Sequence, residues 1–244
     1  MAVHGKRASV LVNEFDLSRF LKSISPSLDV EMIESTAFQA PGDAREYTPG
    51  NTDGKLSAEG FYQSNNVTLK AIEDVFAAAL GSDVQRILTV SPEGADAVGR
   101  RTLQMLTDLA KRSVTSPATG LIMSSAEFQS STGVEPGAVL HPVTPETATG
   151  SAASVDNAAA SAGGGVAHLH VTAKAGTTPS ITVKVQHSVD NAVWVDLATF
   201  TAATAETAQR VEIAGTVNRY VRATWTITGT AGPSFTFAVA FARR

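Results

Sequence analysis

Three carboxylates, Asp29, Glu31 and Glu59, are the side chains of this sequence best placed for acid–base work. Asp29 and Glu31 lie two apart in SLDVEMIEST (27–36), an alternating run, so a strand would carry both on one face. Glu59 sits in a second alternating run, Lys55 to Tyr62, with Leu56 and Ala58 on one side and Ser57 and Glu59 on the other. A glycosidase needs two carboxyls across a cleft. Nothing near these runs builds one, and aromatic sugar platforms are missing, so a solvated acidic face is the better reading. His168 and His170 share a strand face at a spacing that can ligate a metal, but no acid or thiol partner stands with them and cysteine is absent. His187 reads as a surface or partly buried residue. No G-x-S-x-G and no phosphate loop ending in Gly-Lys-Ser/Thr occurs. Gly163–Gly165 precedes a strand, so it lacks the helix dipole that holds phosphate. Trp194 and Trp225 fit a core or an interface, and Arg219 and Arg222, flanking Tyr220, fit a strand-end ion pair. The residues thus imply no catalytic group, no metal and no cofactor.

The elements that carry these residues are mostly strands. Ser9–Phe15 is one, and Asp16-Leu17-Ser18 can cap a short turn after it. In 27–36, Leu28, Val30 and Met32 face one way and Asp29, Glu31 and Ile33 the other. A polar stretch from Ala37 to Gly54 reads as a long loop. A helix is expected over Thr68–Leu80, with Leu69, Ile72, Val75 and Phe76 on its apolar face, Asn66 as N-cap and Gly81 as its stop. Strands follow at Gln85–Val90, Leu121–Ser130 and Ala138–Val143. Residues 101–116 suit strand or helix, with strand preferred. From Thr144 to Gly165 the chain turns to Ala, Ser, Thr and Gly, as a linker would. Six short strands follow, with turn signals at Gly176, Asp190-Asn191, Gly215 and Gly229 with Gly232-Pro233. The fold class is mainly β: a first domain over 1–144 with one packed helix and a long loop, a linker-like 145–165, and an all-β sandwich over 166–244.

Charge is uneven. Residues 1–142 hold 12 Lys and Arg against 17 Asp and Glu, whereas 143–244 hold 7 against 6. That balance argues against a general nucleic-acid binder. No apolar run is long enough to span a bilayer or to serve as a signal peptide, so assembly in a cytoplasm is expected.

One order of features is similar to a known family. DLSRFL (16–21), the run from Glu34 through STAF to Tyr47-Thr48-Pro49-Gly50-Asn51-Thr52-Asp53-Gly54, then Gly60-Phe61 and Ser125-Ala126-Glu127-Phe128-Gln129, resembles the major tail tube proteins of long-tailed bacteriophages over about residues 8 to 142. The second half, with Gln186-x-Ser188-x-Asp190-x-x-x-Trp194 before Arg219-Tyr220-Val221-Arg222, resembles galactose-binding-like jelly rolls. The first resemblance implies a non-enzymatic subunit of stacked rings, usually hexameric, around a hollow lumen in a virion tail. Its partners would be further copies of itself, the tape-measure, tail-tip and tail-terminator proteins, and DNA passing without specific binding. It would place Asp29, Glu31, Ser57 and Glu59 on the lumen wall, with Lys55 the exception near the rim. Arg45, Glu46, Tyr47, Pro49 and Asp53 would form an inter-subunit loop, and the helix would pack on the subunit's outer side. The second half would decorate the tube's exterior, with glycan binding open. A trimer with six-fold pseudosymmetry stays an alternative to the hexamer. The competing readings are a carbohydrate-binding or adhesion module and, behind it, a hydrolase accessory protein.

Overall fold

A computed structural model describes residues 5–36, 45–65 and 70–244. After a 3-10 turn (Gly5–Arg7) come β1 (Ser9–Val12), β2 (Phe15–Asp16), β3 (Leu21–Glu34) and β4 (Tyr47–Phe61). The helix α1 (Ile72–Ala79) is followed by β5 (Arg86–Ser91), β6 (Arg101–Thr115), β7 (Met123–Ser130) and β8 (Glu135–Glu146). The second half holds β9 (Gly150–Ser151), β10 (Val155–Asp156), β11 (Gly165–Ser188), β12 (Val195–Thr199), β13 (Thr207–Ile213) and β14 (Tyr220–Arg243). These strands join in one 14-stranded network. The molecule is mainly β, and residues 101–115 are strand.

Two apolar clusters hold it together. The first buries Val10, Val12, Leu17, Leu56, Leu88, Met105 and Phe128 under Ile72, Val75 and Phe76 of α1. Phe76 meets the ring of Phe128 edge-on, with centroids 5.9 Å apart. The helix is shorter than its apolar spacing suggests, since Ala71 is still extended at φ −79°, ψ 160°. Asp74 closes its first turn by accepting from the backbone N–H of Ala71 at 3.3 Å and of Asn65 at 2.7 Å. Leu69 and Asn66 lie outside the described residues. The strand expected over 9–15 is broken by Asn13, whose φ of 50° starts the turn from β1 into β2.

The second cluster packs Leu169, Val171, Phe237 and Val239 against Val183, Val185, Ala223 and Trp225. Both groups lie on the same two strands. β11 and β14 run antiparallel from Gly165↔Arg243 to Ser188↔Tyr220 and fold over so that their halves face each other. The bend falls where register slips between Ala175 and Ser180. Gly176 (φ 99°) and Gly229 (φ 137°) supply the backbone shape there. Two sequence signals for chain-reversing turns are therefore corners inside continuous strands. The linker-like stretch also runs as structure: β9 and β10 pair with β14, and Ser161 bridges to Val217.

The halves share strands and buried polar groups. β8 begins beside Arg101–Gln104 of β6 and pairs with Phe235–Ala242 of β14. Buried beside this seam, Thr89 Oγ1 lies 2.8 Å from His170 Nε2 and 3.0 Å from His168 Nδ1, and His170 Nδ1 lies 2.6 Å from the Asn13 carbonyl. A carbonyl only accepts, so His170 Nδ1 carries the proton. Its Nε2 then accepts from Thr89, and Thr89 accepts from His168 Nδ1–H. Both rings are buried, and their desolvation holds His170 at about 4 and His168 well below the ordinary imidazole range.

Candidate assembly surface

Strands β3, β4, β7 and β6 lie side by side and make a sheet with two unlike faces. Register aligns Ser23, Glu59, Ser125 and Ser113 in one row, and Ser25, Ser57, Glu127 and Lys111 in the next. Ser27, Lys55 and Gln129 follow, then Asp29 beside Asp53. Side chains alternate across a strand, so these rows share one face, and Glu31 continues it. The face is hydrophilic and largely solvent-exposed. Asp29, Glu31, Asp53, Glu59 and Glu127 outnumber Lys55 and Lys111 on it. Lys55 sits 3.4 Å from Asp53 and Lys111 3.5 Å from Glu127. At this exposure such pairs contribute between nothing and about 1 kcal/mol each.

The opposite face is the apolar one. Leu56, Ala58, Ala126 and Phe128 point into the first cluster. The same face continues along β3 as Leu28, Val30 and Met32, but with no core behind it. They are 51%, 43% and 55% exposed. β4 pairs with β7 only from Lys55 to Phe61. Beyond that point β3 and β4 run on as a bare two-stranded ribbon to Glu34 and Tyr47. Gly54 marks the departure, because a Cβ there would run into the Val134 side chain.

The polar stretch expected as a loop is therefore largely a strand. Tyr47, Pro49 and Asp53 belong to β4, and Ser35 donates its N–H to the Glu46 carbonyl at 2.8 Å. Residues 37–44 of the expected loop lie outside those described. Its composition misleads because a ribbon with solvent on both faces needs no apolar alternation. Pro49 is tolerated because the β3–β4 register slips between Val30 and Met32, where a missing N–H does least harm. Arg45 and Asp53 already have partners within the chain: Arg45 reaches Glu34 at 3.5 Å, and Asp53 takes Lys55 and Gln129. Tyr47 stays exposed.

One important residue gave no sequence signal. Glu73 is buried on the first turn of α1, ion-paired to Arg112 of β6 and accepting from Ser124 Oγ at 2.7 Å. It ties the helix to the end of β6 that has a bare edge. β6 pairs with β7 through Thr115, and among the described residues no strand lies on its other side past Thr107 apart from a single bridge between Leu109 and Leu80. Among the described residues β3 likewise pairs with β4 alone, so the sheet they form has an open edge at each end.

The remaining candidates are engaged internally. Trp225 is buried, donates Nε1–H to the Ala148 carbonyl at 2.9 Å and meets His141 edge-on. Arg222 lies over Trp194 at 4.1 Å, and Arg219 pairs with Asp156 through two contacts of 2.7 Å. Among the described residues no His, Asp and Glu cluster could hold a metal ion, and no helix is long and apolar enough to cross a membrane.

No family model and no curated protein matches the chain. Among solved structures, a chain in the virion of a native gene transfer agent particle covers 55% of this chain and 97% of its own, at 14% identity and TM-score 0.43. The SPP1 tail tube covers 55% and 78%, at 12% identity and TM-score 0.41. The Dit protein of SPP1, a hub adsorption apparatus protein of phages infecting Gram-positive bacteria, covers 96% and 98%, at 11% identity and TM-score 0.39. Similarities this low leave the functional reading to rest on the chain's own surfaces.

Proposed function

We propose that this chain is a structural subunit of a phage-type tail, a protein that acts by closing into rings of identical copies and not by catalysis. The observation that carries the reading is the sheet β6–β7–β4–β3, with a bare edge at each end and an apolar stripe left uncovered on β3. Long bare edges and exposed apolar stripes are hazards in a monomer, and closing a ring removes both.

The strand directions fit such closure. Each neighbouring pair in the sheet is antiparallel, so β3 and β6 run in opposite senses. The β3 edge of one copy can therefore meet the β6 edge of the next as another antiparallel pair, and the alternation continues around the ring. The polar rows then form the inner wall. Asp29, Glu31, Ser57 and Glu59 would line a channel whose net negative charge repels phosphates and keeps a passing duplex mobile. The outer half of the ribbon, with Tyr47 and Pro49, would reach a neighbouring copy. Hexameric closure, stacking into a tube, contact with tape-measure, tail-tip and terminator proteins, and location in a virion tail belong to the same proposal.

Negative-stain electron microscopy of the concentrated protein tests it. Rings or rods with a central hole are expected, and class averages give the symmetry. Monodisperse particles without a hole, persisting after addition of tail-tip complex, would remove the reading.

A further inference from the structure

A groove of about 460 Å³ runs between the two halves of the chain. Its apolar floor is made by Leu103, Leu140, Val221 and Phe241, and Arg101 stands at its mouth. Several features indicate what would fill it. The volume suits a few side chains. A small-molecule site would converge several free polar groups on its ligand, and this groove does not. Arg243, its other cation, already donates to Ser161 Oγ and to the carbonyls of Ala159, Val217 and Asn218. Asn157 donates to the Arg219 carbonyl at 3.0 Å. None of the buried polar atoms left without a partner lies in its lining. Arg101 alone has no hydrogen-bond or ion-pair partner among the described residues, and it is exposed. The groove therefore asks for a short apolar stripe flanked by a carboxylate.

The chain carries such a stripe on its own surface. Leu28, Val30 and Met32 stand exposed on one face of the ribbon, and Glu34 follows them on that same face, whereas Asp29 and Glu31 point to the other. The ribbon extends past the sheet that supports it, so it is free to reach a second molecule.

We propose, building on the ring assembly above, that the groove between the halves receives Leu28, Val30 and Met32 from a neighbouring copy, with Arg101 pairing to a carboxylate on that ribbon. The contact is side-chain insertion and not strand addition, since β8 beside the groove is already paired on both sides by β6 and β14. It gives the second half of the chain a role in assembly, because Val221 and Phe241 come from β14.

The absence of cysteine allows a direct test. Met32→Cys in one chain and Ala138→Cys in another are mixed, assembled and oxidised, and the particles are imaged in parallel. Disulfide-linked dimers in assembled particles, absent from unassembled protein and from either variant alone, are expected. Val30→Cys replaces Met32→Cys if that variant misfolds. Assembled rings without the cross-link would overturn the groove contact and leave the ring standing. Failure of the unmodified chain to assemble would remove both. Arg101→Glu, at an exposed position, should raise the concentration needed for assembly at least tenfold. An unchanged threshold would count against the pairing.

Discussion

The two halves of this molecule solve the same problem in opposite ways. Each is a set of long strands that must cover an apolar face. The second half does it largely within itself: β11 and β14 bend at Gly176 and Gly229 and fold over, and Val183, Val185, Leu169 and Phe237 are sealed inside with Leu140 of β8. The first half leaves its work unfinished. Its apolar face runs past the helix that covers it and ends in Leu28, Val30 and Met32 in solvent. A strand pair that bends becomes a core, and one that runs straight becomes a surface for another molecule.

The harshest way to break this comparison is to cut the chain after Glu146. A second half that merely decorates the first would leave a stable fragment. Here β8 would lose its β14 partner, and Val139 and Leu140 would be uncovered, at about 2 kcal/mol each. The total is a large share of a typical domain's stability. Fragment 1–146 should aggregate or melt far below the full chain in calorimetry. A fragment with the parent's melting temperature would show the halves to be independent.

A milder stress acts on the joint. His168 and His170 are neutral where they are buried, whereas in an unfolded chain they take up protons near pH 6.5. From about pH 6.5 down to about 4, only the unfolded chain gains those protons, so stability falls as pH falls. Thermal melts across that window should slope downward, and His170→Gln should flatten the slope. An unchanged slope would place the acid sensitivity elsewhere.

The smallest effect on the monomer is expected at the ribbon. Leu28→Ser, Val30→Ser and Met32→Ser together should shift its stability by no more than about 1 kcal/mol, since each is about half exposed and none belongs to either apolar cluster. Val183→Ser, one buried residue of the other half, should cost more than the three combined. Light scattering should show the triple variant failing to assemble while its melting temperature holds.

The contrast also separates what was legible in the sequence. Alternation revealed the outer part of β3, from Ser27 to Glu34, because polar and apolar residues alternate there, and it missed the stretch from Leu21 to Pro26. It failed over Tyr47–Gly54, where both faces are wet and Pro and Gly are tolerated. Turn chemistry was read well in kind and poorly in consequence: Gly176 and Gly229 do bend the chain, but a bend shared by two paired strands is a corner and not a turn. The pattern Leu69, Ile72, Val75, Phe76 located the helix, but its start depends on Asp74 reaching Ala71, a contact that periodicity does not report. Glu73 was invisible because a charged residue at a helix start reads as solvated, and only the return of β6 brings Arg112 to it.

The pairing of β8 with β14 also has a consequence in time. During synthesis β8 emerges long before β14, and everything from Thr147 to Ser234 must be made before its partner arrives. Until then β6 and β8 present one more unfinished edge, and the groove beside Arg101 lacks Val221 and Phe241. Pairings this distant along the chain form late. A nascent subunit would therefore carry its adhesive ribbon well before it carries the seat for one, and the docking of one copy in the groove of another would wait until the chain is complete.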